Sequence, residues 1–313
     1  MSALGDLLTR PDGFVWLDIP EWSPAAEEAL TGTGIALHPM AIKTFKQRNH
    51  LPTIHAYPDH VFLVLHSPFS GHRGHVHMLE LDQVIATRLL ITIHGPLNPA
   101  VQVETATQEC DDVLRRIALG RFRPGSPAEL SYAIVSAMVR RQRETIGEIA
   151  EMVPDLENRV MQGNFRHPED LLEEMFLFRH ELITVRTMAA QAREIYARMS
   201  ALDQVVPASD LPFARDLADQ FERVRSIADG ECQFLFGVID LYQTRVTTKM
   251  TLAMERLAVI AAVTLPVTAI ASVYGMNVIV NQHTHVTQLL LVLSVMLVIS
   301  GLLLSWARKQ GWW

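Results

Sequence analysis

Two apolar runs near the C-terminus, residues 257–274 and 286–306, contain no charged residue. In a helix rising about 1.5 Å per residue, runs of this length cover roughly the 30 Å hydrocarbon core of a bilayer. A chain in lipid must satisfy its backbone hydrogen bonds internally, so both runs are read as transmembrane helices. The alternative is a buried helical hairpin in a soluble core. It is disfavoured because two such long uncharged runs rarely occur together in a globular domain.

Flanking charge sets the expected orientation. Lys249 and Arg256 precede the first run and Arg308 and Lys309 follow the second, whereas residues 275–285 between the runs hold no Lys or Arg. The positive-inside bias then places both termini in the cytoplasm and the connecting turn outside an inner or plasma membrane. Trp306, Trp312 and Trp313 suit an anchor on the inner side. The N-terminus lacks a basic, apolar leader, so no signal peptide is expected and the first 250 or so residues are read as cytosolic.

A net charge of -7 without a basic cluster argues against a nucleic-acid partner and suits attraction of cations. Cys110 and Cys232 form neither a disulfide framework nor a CxxC pair, and both are read as small core residues. Nine histidines fall between His38 and His94, including the stretch Gly71-His72-Arg73-Gly74-His75-Val76-His77. Imidazole suits zinc, copper or nickel, but the spacing fits no standard zinc pattern and no nearby Cys completes one. A solvated hairpin loop is the preferred reading. With no phosphate loop, nucleophile elbow or HExxH run, an enzyme reading has nothing to rest on.

Short β-branched or aromatic runs at 14–19, 61–65 and 89–93 predict strands, with helices at 25–31 and 39–47 between them. Residues 1–125 are thus expected to form an α/β domain with a central sheet of unspecified strand order. Residues 126–206 predict a helical hairpin. Ser126 and Pro127 open its first helix, Pro154 should kink or interrupt it, and Gly163 should stop it. The second helix starts at Pro168. Its apolar positions Leu171, Met175, Phe178, Leu182, Val185, Ala189, Ala192, Tyr196 and Met199 follow a coiled-coil-like rhythm. A stalk helix over 207–256 then continues into the first span, giving a rod of about 100 Å. Along it Leu217, Phe221, Val224, Ala228, Leu235, Val238 and Tyr242 keep a 3.5-residue period, with Glu231 as a polar intrusion. Such a rod cannot bury its seam alone, and self-association is expected.

The sequence Tyr274-Gly275-Met276-Asn277 closes the first run, Pro266 and Thr268 lie inside it, and a short turn and basic tail follow. Upstream stand Phe213-Ala214-Arg215-Asp216 and Gly237-Val238-Ile239-Asp240-Leu241-Tyr242. In order and spacing these features resemble the CorA family of two-span divalent-cation channels. The resemblance implies a funnel-shaped homopentamer with an all-α membrane domain: pore helix 257–274, outer loop 275–285 and second span 286–306, then a basic tail at 307–313. It implies a selectivity filter of Gly275, Met276 and Asn277, with pore-lining Met254, Leu257, Leu265 and Thr268. Asn277, Thr268, Leu265 and Met254 are 9, 3 and 11 positions apart, which is read as near whole turns of one face. Gly275 is expected to let the backbone turn at the helix end. The plain alternatives are a helix C-cap for Asn277 and lipid or helix contact for the others.

Magnesium surrenders its water reluctantly, so a ring of Asn277 carbonyls accepting hydrogen bonds from coordinated waters would select a hydrated ion. Leu257 and Met254 would form an apolar neck that gates by dewetting. The resemblance further implies regulatory Mg²⁺ held between subunits at Asp216 and Asp240. These lie 24 residues apart, close to seven turns; a solvated Asp is the competing reading for each. Mg²⁺ is thus expected as both cargo and regulator, with Co²⁺ or Ni²⁺ as further cargo. One departure counts against that ion: residues 278–285 contain no carboxylate but do contain His283 and His285. These imidazoles keep open a Zn²⁺ transporter of the ZntB-like branch. A non-conducting, membrane-anchored metal sensor or scaffold is the reading from another class.

Overall fold

The computed structural model describes residues 2–10, 12–33, 37–47, 51–71, 75–95, 99–163, 168–202, 206–275 and 286–311. The chain divides into two compact units, Met1–Val238 and Ile239–Trp313.

In the first unit the order is α1 (Ser2–Thr9), β1 (Val15–Ile19), α2 (Pro24–Thr31), α3 (Pro39–Lys46), β2 (Thr53–Ala56), β3 (His60–Ser70), β4 (Val76–Ala86), β5 (Leu89–Ile93), α4 (Val103–Ala106), α5 (Gln108–Ala118), α6 (Pro127–Gln162) and α7 (Pro168–Met199). The long α8 (Leu211–Gly275) starts in this unit, and α9 (Val286–Lys309) belongs to the second. The strands form one sheet in the order β1-β5-β4-β3-β2, with β1 parallel to β5 and the remaining pairs antiparallel.

The expected α/β class is present, with two strands, β2 and β4, that the periodicity did not announce. β4 carries Glu80, Asp82 and Gln83 among its apolar residues, which obscures the strand pattern. Pairing with β3 along the whole of β4 overrides that local signal. β3 itself runs on to Ser70 through Pro68, beyond Val64, where its pairing with β2 ends. A proline is tolerated there because only one side of the strand is paired.

One sheet face supplies Phe62, Val64, Val84, Leu89, Ile91 and Ile93 to a core closed by Ala26, Leu30, Ala41 and Phe45 of α2 and α3. Phe45 meets Phe62 edge-on with ring centres 5.4 Å apart. The other face receives α6, where the Ser131 hydroxyl donates to Gln83 Oε1 at 2.5 Å. α6 starts as its sequence demands: Ser126 Oγ accepts from the Glu129 amide and Pro127 takes the first turn. Gly163 ends it in the left-handed conformation, φ 66°. Pro154 does not interrupt the helix. Val153, Leu156 and Val160 around it are fully buried, and that packing offsets the missing backbone bond.

The α7 seam is buried as patterned except at half-buried Phe178. The α8 seam departs from expectation in two ways. Cys232, not Glu231, occupies the turn between Ala228 and Leu235. More important, Leu217, Phe221, Val224, Ala228, Leu235 and Val238 are already buried within a single chain. Tyr196 of α7 stacks on Phe221 at 5.9 Å. This stripe therefore does not itself require a second copy.

The second unit contains the membrane-competent segments. α8 and α9 each hold a window long and apolar enough to cross a membrane, with mean hydropathy 1.9 and 2.5. Leu257, Leu265, Leu291 and Leu297 are all more than 60% exposed, a surface that water does not favour. α9 continues past the apolar run to Lys309, and Arg308 and Lys309 suit the negative end of its dipole.

Candidate ion-pathway residues

Met254, Leu257, Leu265 and Thr268 all lie on α8 in the second unit. At 100° per residue they fall within an arc of about 80°, so they share one face. All four are exposed in the protomer. The Thr268 hydroxyl donates to the Thr264 carbonyl at 2.8 Å. Its proton is thereby engaged, and the oxygen presents its remaining lone pairs. That polarity suits a hydrated cation, whose outer shell consists of water protons.

Gly275 is the last described residue of α8, is helical and is not among the glycines with positive φ. Among the described residues, a Cβ there would meet nothing within 4 Å. Along a helix the nine positions from Thr268 to Asn277 amount to two and a half turns, not a whole number. The common face therefore unites the four helical residues only. Met276, Asn277, His283 and His285 lie outside the described residues.

The two stalk carboxylates belong to different units. Asp216 Oδ2 accepts from the Tyr132 hydroxyl at 2.7 Å and from Gln220 Nε2 at 2.5 Å. The hydrogen bond from Tyr132, and next that from Gln220, hold its carboxyl below the usual range. It is thus a pre-oriented, ionised group. Asp240 is exposed. An interval of 24 residues is about 6.7 ideal turns, so a shared face requires winding nearer 3.5 residues per turn.

The histidines do not all behave as a solvated loop. His60, His66 and His94 are buried in or beside the sheet, while residues 72–74 lie outside the described set. The fold also gathers Asp18, His94 and Cys110, whose ligand atoms lie within 4.8 Å of one another. They are separated by 76 and 16 positions, so no motif spacing links them. The only local hint was a polar Asp18 and His94 at the ends of strands.

The family model described as CorA-like Mg²⁺ transporter protein matches residues 11–309. The chain belongs to this family. Among its relatives, the cobalt/magnesium transport protein CorA of Thermotoga maritima is 24% identical over 293 residues, covering 90% of this chain and 78% of the relative. The complete structure of the CorA magnesium transporter from Methanocaldococcus jannaschii superposes with a TM-score of 0.78 at 16% identity, over 97% of this chain and 93% of that one. The ZntB cytoplasmic domain from Vibrio parahaemolyticus gives 0.54 at 12% identity, over 76% of this chain and 89% of that one. At these identities the two structural matches establish fold alone. Membership of the CorA-like family makes the chain a divalent-cation transporter with two candidate membrane helices.

Proposed function

We propose that this chain is one subunit of a homopentameric channel for hydrated Mg²⁺, with Co²⁺ or Ni²⁺ as further cargo, in which α8 lines the pore. The observation that carries the reading is that Met254, Leu257, Leu265 and Thr268 share one face of α8 and are all exposed in the protomer. These residues offer apolar groups and a hydroxyl oxygen, with no thiolate or imidazole, which suits a hard ion keeping its water. Ile227 and Phe234, exposed and seven positions apart on α8, supply further apolar surface for neighbouring subunits now that the main seam is accounted for within the chain. Asn277 carbonyls would crown the pore mouth. Cytosolic Mg²⁺ at Asp216 and Asp240 would bridge subunits and favour the closed state. Both chain termini would face the cytoplasm.

A Zn²⁺ transporter on the same scaffold is the second reading, favoured by His283 and His285 in an outer turn that lacks carboxylates. Uptake by proteoliposomes containing the purified chain distinguishes the readings. Mg²⁺ flux supports the first, Zn²⁺ flux without Mg²⁺ flux supports the second, and no flux of either leaves a sensor or scaffold. Asn277→Ala should abolish flux without changing the assembled mass. Undiminished transport by that variant would remove the pore assignment.

A further inference from the structure

Asp18 on β1, His94 just after β5 and Cys110 on α5 converge where the sheet meets α5. His94 Nδ1 lies 3.0 Å from the Ala106 carbonyl, which only accepts, so this nitrogen carries a proton. Its other nitrogen, Nε2, then presents a lone pair in the neutral ring, yet it sits 3.0 Å from Asp18 Oδ1. An imidazole lone pair and a carboxylate repel at that distance. Something positive must lie between them, either a second proton or a metal ion.

The surroundings favour an ion. Thr92 donates to Asp18 Oδ1 and in turn accepts from the Trp16 indole at 2.9 Å, fixing the carboxylate. The Nδ1–H bond to a backbone carbonyl is the usual outer-shell device that aims Nε2 at a metal. Cys110 is 1% exposed and adds a sulfur donor from a third element, whereas the Asp18 side chain is 27% exposed and provides access to solvent. Burial, and next the charge of Asp18, push the free thiol well up, so it stays protonated until a cation arrives. Tetrahedral zinc at about 2.0–2.3 Å from each ligand spaces its donors by about 3.3–3.8 Å, so the 3.0 Å pair of His94 and Asp18 opens slightly and the sulfur, within 4.8 Å of both, closes by at most about 1 Å.

We propose that Asp18, His94 and Cys110 form a binding site for a borderline divalent cation, Zn²⁺ or Co²⁺, with water in the fourth position. The Cys110 thiol loses its proton to solvent on binding, and the thiolate sulfur takes the ion. A mixed oxygen, nitrogen and sulfur set disfavours Mg²⁺, so this site is chemically distinct from the transport pathway and does not rest on the transport reading.

The test uses the full-length protein in detergent titrated with Co²⁺, read as the thiolate-to-cobalt charge-transfer band in the near ultraviolet. The band should appear in the wild type and in Asn277→Ala, and survive Cys232→Ser and a large excess of Mg²⁺. It should vanish in Cys110→Ser and in His94→Gln. Thr92→Val should weaken Co²⁺ binding about 10- to 100-fold. Zn²⁺ should raise the melting temperature of the wild type but not of Cys110→Ser. Absence of the band in the wild type overturns the site, as does its loss in Cys232→Ser with retention in Cys110→Ser. A variant that fails to fold is recognised by its far-ultraviolet circular dichroism, and His94→Gln then decides.

Discussion

Asp216 and Asp82 are both carboxylates with shifted ionisation, and their environments move them in opposite directions. Asp216 is held ionised by Tyr132 and Gln220, its folded pKa lying below 3.8. Its contribution is therefore complete above that value and disappears as pH falls through the folded one. Tyr132→Phe should cost about 1 kcal/mol near neutrality. The difference from wild type should close at strongly acidic pH, as read by thermal melts of the detergent-solubilised protein. Asp82 is fully buried, with neither carboxylate oxygen hydrogen-bonded among the described residues. Burial, and then the neighbouring charge of Glu80, raise its pKa well above 3.8. The native state thus keeps a proton that the unfolded chain releases, and stability falls as pH rises above 3.8. Asp82→Asn should flatten that decline and melt higher than wild type at neutral pH. An unchanged pH profile would mean that Asp82 titrates as it does in the unfolded chain.

Among the elements, the α7 and α8 seams were legible because a 3.5-residue rhythm survives any detail of packing. What each stripe packs against was not legible. Period alone does not distinguish a helix that buries its seam in its own chain from one that needs another copy, and here the stalk seam is buried at home. β4 escaped because Asp82 and Gln83 occupy core positions, which only a completed sheet can impose. The Tyr196 hydroxyl has no hydrogen-bond partner among the described residues, although its ring is fully buried against Phe221. Tyr196→Phe should keep the stack and remove an unsatisfied group, raising stability by about 1–3 kcal/mol. Tyr196→Ala should instead cost about 3–5 kcal/mol. Chemical denaturation monitored by helix content separates these outcomes.

For the whole molecule, the proposed pore would depend on residues whose partners lie outside one chain. Among the described residues of the protomer a Cβ at position 275 meets nothing within 4 Å. Gly275→Ala should therefore leave the folded subunit unchanged. If neighbouring subunits crowd the pore mouth, it should reduce flux at least tenfold in proteoliposomes; full flux would show that the mouth has room to spare. Asp240→Asn should weaken the proposed inhibition by internal Mg²⁺, since it removes the negative charge and one oxygen donor that the exposed carboxylate would offer a bridging ion. An unaltered inhibition curve would remove Asp240 from regulation.

The sequence by itself determined the two lipid-length helices, the helical hairpin and stalk, and the family signature around Tyr274 to Asn277, because hydrophobic period and local capping act over a few turns. Tertiary structure alone decided the strand order, the burial of the stalk seam and the meeting of Asp18, His94 and Cys110. Those three are distant in sequence, and only the pairing of β1 with β5 and the docking of α5 close the intervening loops to bring their donor atoms together.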